Sequence, residues 1–331
     1  MNLSFNLFQG ASFTIKNLPN ERNHAVKISA LPAVKQMWPV RIYPIPDIQR
    51  VNTVKNVNGP IEVLSNNETR RKQDTFSPHR MTQIDRLHAA GYKGKGVRIG
   101  IIDTGVDYKH PALGGCFGKG CLVSYGWDLV GDEWTTFNNP TPDPDPYDNC
   151  IGHGTHVTGI IGAQPNPMNF TGAAPDATLG MYRVFGCSSA GTSDDILIAA
   201  FNMAYEDGSD IITSSIGGDG GWSEGPWSSA VSRIVDNGVP CTMAAGNAGM
   251  MGMFMPMDAA SGKGVTAVAS FDNVITPMLL PKGTYTVKSS SSEASADNDT
   301  IVSTAFGWLP GYPSFGDVTS PLWAVSHNSS V

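Results

Sequence analysis

Three polar side chains stand where apolar runs start or stop, and their types suit proton transfer and anion stabilisation. Asp103 closes Val97-Arg98-Ile99-Gly100-Ile101-Ile102-Asp103 and is followed by Thr104-Gly105. His153 lies between two glycines in Asn149-Cys150-Ile151-Gly152-His153-Gly154-Thr155-His156, ahead of a short apolar helix expected over 157–163. Asn247 follows Met243-Ala244-Ala245-Gly246 at the end of another apolar run. A carboxylate beside a core needs a partner. An imidazole held by that carboxylate through one ring nitrogen acts as a base through the other. A side-chain amide donates to an oxyanion, and losing one such donor costs roughly 10²–10³ in rate.

Neighbouring residues offer weaker chemistry. Asp107 lies a turn later and is followed by Tyr108-Lys109. His153 and His156 lack the His-Glu-x-x-His arrangement of zinc peptidases, and His156 is expected packed or hydrogen-bonded in the core. Cys150, three residues from His153 at a helix mouth, aligns poorly as a nucleophile. Asp143, Asp145 and Asp148 offer oxygens to calcium. Prolines alternate with them in Thr141-Pro142-Asp143-Pro144-Asp145-Pro146-Tyr147-Asp148 and would stop the backbone from wrapping an ion. A proline-stiffened surface loop is expected, with no metal and no other cofactor.

The elements that must position these groups read as an α/β fold. The Asp103 run is apolar throughout, as a parallel strand buried on both faces requires. From Gly172 to Ala269 strands alternate with helices. Strands are expected over 177–185, 210–216, 239–245 and 265–270. Helices are expected over 194–206, where Leu197, Ala200, Phe201 and Ala204 recur at helical spacing, and over 227–237. This order implies a parallel sheet with helices on both faces, and in such sheets working groups gather at the carboxyl ends of the strands. Residues 113–148 read as a long loop rich in Gly, Pro and Asp, and Met81 to Ala90 as one short helix. Thr192 to Asp195 fits a capping-box spacing ahead of the 194–206 helix.

The blocks at Asp103, His153 and Asn247 together resemble the subtilisin-like serine peptidases: Asp-Thr-Gly, His-Gly-Thr-His and Ala-Ala-Gly-Asn match that family's aspartate, histidine and oxyanion blocks, in the family's order. The resemblance covers about Asp74 to Asn273. It implies a serine endopeptidase acting on polypeptides, with Asp103 and His153 as two triad members and Asn247 as the oxyanion donor. It further implies that Ser215, Ile216 and Gly217 pair with the substrate backbone, and that Ala244, Ala245 and Gly246 wall the pocket for the residue before the scissile bond. The family's nucleophile follows the asparagine in a Gly-Thr-Ser-Met-Ala block, and none stands between Asn247 and Val331. Gly191-Thr192-Ser193 lies on the wrong side of Asn247. The expectation is a fragment lacking the serine block. The alternative is a catalytically dead protein that keeps the scaffold and holds peptides in the Ser215 groove.

The flanks fit the same picture. Residues 1–46 suggest a small α+β unit, with a strand over 10–15, a helix over 20–31 and a returning strand over 34–43. It resembles the second half of the inhibitory prosegment of secreted subtilases, which implies that the chain carries its own inhibitor. Residues 47–80 read as a polar linker and 81–270 as the catalytic domain. Residues 271–331 read either as the start of an inserted protease-associated domain or as a tail.

Composition bounds the partners. The 331-residue chain has 40% hydrophobic residues and a net charge of −7. Its longest basic run is the three residues Arg70-Arg71-Lys72, so nucleic acid is not an expected partner. No run of about eighteen apolar residues predicts a membrane span. Asn-x-Ser/Thr recurs at Asn2, Asn67, Asn169, Asn298 and Asn328, which points to a glycosylated, extracellular protein. Cys116 and Cys121 flank a loop flexible enough to close. Of Cys150, Cys187 and Cys241, an odd number, at least one is expected free.

Overall fold

The computed structural model describes residues 1–15, 20–46, 76–166 and 170–271, and the strands Lys282–Val287 and Val302–Gly307. One compact unit contains residues 1–51 and 59–274, and a second contains 52–58 and 275–331.

In the first unit the central sheet has six parallel strands. They are β4 (Arg98–Asp103), β5 (Val123–Asp128), β6 (Thr178–Arg183), β8 (Ile211–Ser214), β9 (Cys241–Ala244) and β10 (Thr266–Val268), in the spatial order β10-β9-β8-β4-β6-β5. Successive side chains of β4 point to opposite faces. Ile102 joins the core that holds α5 (Asp194–Glu206) and α6 (Pro226–Asp236), packed through Leu197, Phe201, Trp227 and Ile234. Ile99 and Ile101 join the opposite core, against Val157 and Ile161 of α4 (His153–Gly162). The sheet is therefore covered on both faces, which is why its central strands are apolar without alternation. The fold is the α/β architecture with helices on both faces that the strand–helix order predicts.

Several boundaries differ from the sequence reading, each for a local reason. Residues 123–128, read as loop, form edge strand β5. It pairs with β6 through a register shift, and Gly126 stands at φ 135° so close to Met181 that a Cβ would meet the Met181 carbonyl oxygen at 1.9 Å. The single helix expected over 81–90 is two, α2 (Ser77–Thr82) and α3 (Ile84–Ala89), because Gln83 between them adopts φ 64°. Helix α4 begins at His153 itself, a turn earlier than expected. His156 is exposed, not a core histidine, because the face that α4 buries is Gly154, Thr158 and Gly162.

The N-terminal residues form a hairpin of β1 (Asn2–Ser4) and β2 (Gln9–Ala11), then α1 (Glu21–Ser29) and β3 (Ile42–Pro44). The strand expected over 34–43 is confined to its last residues. Strand β3 pairs antiparallel with β7 (Gly191–Ser193), matching Ile42 with Ser193, Tyr43 with Thr192 and Pro44 with Gly191. The capping box expected at Thr192 is absent: no side-chain hydrogen bond caps α5, and Thr192 is buried within β7 with its hydroxyl unpaired among the described residues. The linker expected over 47–80 falls on residues outside the described set up to 75; from Ser77 the chain is helical.

In the second unit, β11 (Lys282–Val287) and β12 (Val302–Gly307) form an antiparallel pair, Lys282 opposite Gly307 and Val287 opposite Val302. Apart from Phe271, the rest of the 271–331 segment lies outside the described residues.

Disulfides join Cys116 to Cys121 and Cys150 to Cys187, and Cys241 is a buried free thiol. No described helix is long and apolar enough to cross a membrane.

Candidate active site

Asp103 ends β4 with the same parity as Ile99 and Ile101, so its side chain faces α4. It is fully buried. The Asp103 Oδ1 atom lies 2.7 Å from His153 Nδ1 and also accepts the Thr104 backbone N–H at 2.7 Å. Oδ2 has no hydrogen-bond partner among the described residues. This close approach depends on Gly154: a Cβ there would stand 2.1 Å from the Gly105 carbonyl oxygen and 3.1 Å from Asp103 Cβ. The glycine after the histidine lets the first turn of α4 press onto the turn after β4.

A second carboxylate holds that contact in place. Asp148 is buried. Its Oδ1 accepts the N–H groups of Cys150 and Ile151, and its Oδ2 accepts Gly152 N–H and the Thr104 hydroxyl, all at 2.8–2.9 Å. The Thr104 hydroxyl oxygen in turn accepts Gly154 N–H at 2.9 Å. Asp148, Thr104 and Gly154 thus lock the loop before His153 onto the turn after Asp103. Asp148 stood out in the sequence only as one carboxylate of a proline-rich loop, and its role depends on four backbone and hydroxyl donors that only the folded loop assembles. The other loop carboxylates act separately: Asp145 accepts the Tyr108 hydroxyl at 3.0 Å, and Asp143 accepts Asp145 N–H at 2.8 Å. Beneath them the buried Arg183, at the end of β6, pairs with Asp128 at 3.1 Å and Asp132 at 2.6 Å and donates to the Tyr147 carbonyl.

Burial of the His153 ring works against its charged form. The hydrogen bond that the ring donates to Asp103 and the Asp103 charge together outweigh it, so the imidazole pKa lies above its ordinary 6.5. The arrangement can therefore do what a carboxylate–imidazole pair does: Asp103 holds Nδ1 and stabilises the imidazolium, leaving Nε2 as the working atom.

The remaining predicted residues lie at the same rim. Strands β4, β8 and β9 are parallel, with Ile102 opposite Ser214 and Ser214 opposite Met243. With strands about 4.8 Å apart, the ends of β4 and β9 are only about 10 Å apart across β8. Beyond β9, Ala245 N–H donates to the Val268 carbonyl and the Ala245 carbonyl accepts Met257 N–H. Gly246 turns the chain at φ 104°, and the Asn247 side chain is exposed. Beyond β8, Ser215 is half-buried, Gly217 is buried, and the Ile216 side chain belongs to the core.

Residues 94–306 match the subtilase family, peptidase S8. Among curated relatives, the minor extracellular protease Vpr of Bacillus subtilis is 33% identical over 217 residues, covering 63% of this chain and 26% of Vpr. Subtilisin DY of Bacillus licheniformis is 33% identical over 176 residues, covering 52% of this chain and 55% of its own. Among solved structures, fervidolysin from Fervidobacterium pennivorans, a keratinolytic enzyme related to subtilisin, has 26% identity and a TM-score of 0.38 over 49% of this chain and 23% of its own. The chain spans about half or less of the length of these relatives. With a matched region of this extent and the six-stranded parallel sheet that carries Asp103 at a strand end, the chain belongs to the subtilase family.

Proposed function

We propose that this chain supplies the aspartate, the histidine and the oxyanion asparagine of an extracellular serine endopeptidase that cleaves polypeptides, its serine nucleophile coming from outside residues 1–331. The observation that carries this reading is the 2.7 Å contact between the buried Asp103 and His153 Nδ1 at the carboxyl rim of the sheet. In the reaction, His153 Nε2 takes the proton of the attacking serine and later gives it to the leaving amine. Asp103 keeps the proton of the neutral ring on Nδ1 and stabilises the imidazolium that forms. The Asn247 amide donates to the tetrahedral oxyanion. Ser215, Ile216 and Gly217 pair through their backbone with the substrate, and Ala244, Ala245 and Gly246 wall the adjoining pocket. Residues 1–46 act as an intramolecular inhibitor. That is supported by the seating of β3 on β7, beside Gly218 at the end of the Ser215 loop: a Cβ on Gly218 would come within 3.0 Å of the Tyr43 ring.

Fluorophosphonate labelling tests the reading. The 331-residue chain should not label, whereas a chain extended through a Gly-Thr-Ser-Met-Ala block should label at that serine and hydrolyse casein. In the extended chain, His153→Ala should lower kcat by about 10⁶. Stoichiometric labelling of a serine within residues 1–331, or undiminished hydrolysis by the His153→Ala chain, would overturn it.

A further inference from the structure

Two buried carboxylates outside the Asp103–His153 pair face the N-terminal strand. Asp194, the first residue of α5, is 2% exposed, and Asp258 is 4% exposed. Among the described residues, the hydrogen-bond donors to both carboxylates are Arg41 and Tyr43. The Tyr43 hydroxyl lies 2.8 Å from Asp194 Oδ1 and 3.2 Å from Asp258 Oδ2. Arg41 gives its backbone N–H to Asp194 Oδ2 at 2.8 Å and its guanidinium to Asp258 Oδ2 at 2.7 Å. Buried carboxylates normally find their donors in the body that buries them. Here the donors arrive on a segment that sits as an added strand on β7.

The surroundings are shaped for an aromatic ring. Tyr43 meets Trp227 edge to face at 5.1 Å between ring centroids. Glycines clear the space above: a Cβ on Gly218 would crowd the Tyr43 ring at 3.0 Å, and one on Gly220 would overlap Asp258 Oδ1 at 1.3 Å. Strand addition supplies the main-chain hydrogen bonds, and pockets for alternate side chains supply selectivity.

We infer that Asp194 and Asp258 form a selecting subsite of the peptide groove that takes a tyrosine side chain from an extended polypeptide, with Tyr43 as its built-in occupant. The inference rests on the reading of this groove as the substrate groove. A phenol fills the ring space, and its single O–H donates to one carboxylate at a time. Phenylalanine fills the space but leaves the carboxylates a donor short, and sites built around a hydrogen bond reject the analogue lacking it strongly. Glutamate brings a third negative charge.

The test uses the full chain carrying Arg41→Ala and Tyr43→Ala, so that its own strand loses the side-chain contacts that hold it to both carboxylates. Labelled Val-Arg-Ile-X-Pro-Ile peptides are titrated by fluorescence polarisation. With X as Tyr, binding should be at least about tenfold tighter than with Phe, and with Glu it should be undetectable. Adding Asp194→Asn and Asp258→Asn should erase the preference for Tyr over Phe. Equal binding of the Tyr and Phe peptides overturns the subsite. A second measurement needs no free peptide: Tyr43→Phe should lower the melting temperature of the otherwise unchanged full chain, and should lower it much less when both aspartates are asparagine. Absence of that coupling also overturns the subsite. Coupling without binding of any free peptide overturns instead the reading of the groove as a substrate site.

Discussion

The chemistry of this chain narrows to one short contact whose two partners impose opposite demands. Burial disfavours an imidazolium, and a carboxylate at 2.7 Å favours it. The carboxylate prevails, so the His153 pKa lies above 6.5. A group whose folded pKa is raised contributes stability that is complete below its unfolded value, near pH 6.5, and is lost as pH climbs through the raised folded value. Titration of the His153 ring proton by NMR should give a pKa above 6.5, and Asp103→Asn should bring it below the wild-type value, because burial then acts without the opposing charge. An unchanged titration in the Asp103→Asn chain would mean that the contact is not what sets the ring. At this scale the sequence was highly legible: residue type, the apolar run before Asp103 and the glycines around His153 marked the pair. Thr104 and Asp148 were not marked, since their part is to hold backbone groups.

At the scale of elements, the close approach of α4 to the end of β4 depends on a missing side chain. Gly154→Ala places a Cβ against a backbone oxygen, so relief requires the helix to move off the turn that carries Asp103. The expected loss is about 3 kcal/mol, at the upper end of ordinary overpacking. Gly159 in the same helix has nothing within 4 Å of its Cβ position. Gly159→Ala should therefore leave stability unchanged or raise it by up to about 1 kcal/mol through helix propensity. Thermal denaturation of the two variants separates the effects; equal losses would remove the packing argument. Periodicity located α5 and α6 well because each carries an unbroken apolar stripe. It missed β5, an edge strand interrupted by Gly126, and the break at Gln83, because nothing in the local pattern announces a left-handed residue that is not glycine.

At the scale of the molecule, the disulfides fasten loops of different lengths. Cys150–Cys187 joins the loop before His153 to the segment after β6 across 37 residues, whereas Cys116–Cys121 spans five. In the chain-entropy account these correspond to about 4 and about 2 kcal/mol. Replacing Cys150 and Cys187 with serine should lower the melting temperature more than replacing Cys116 and Cys121, and calorimetry on the two double variants decides the order. The reverse order would show that the longer loop is already constrained in the unfolded chain. The local pair could be read from spacing. The longer pair could not, because three cysteines were left and only the convergence of β6 with the His153 loop selects two of them.

What the sequence by itself determined is the chemical vocabulary and the class of scaffold: a carboxylate, an imidazole and an amide at the ends of apolar runs, in an alternation of strands and helices that forces a parallel sheet. These are local facts, carried by residue type and by periods of two and 3.6. Only the tertiary structure decided which neighbours hold them. Asp148 locks the His153 loop, Cys150 pairs with Cys187, and the Gly191-Thr192-Ser193 segment, whose Ser193 stands at the N-cap position of α5, is also a strand that receives Tyr43. Those pairings join residues from 4 to 149 positions apart, and free energy of that kind depends on distance through space, to which the order of residues along the chain is nearly blind.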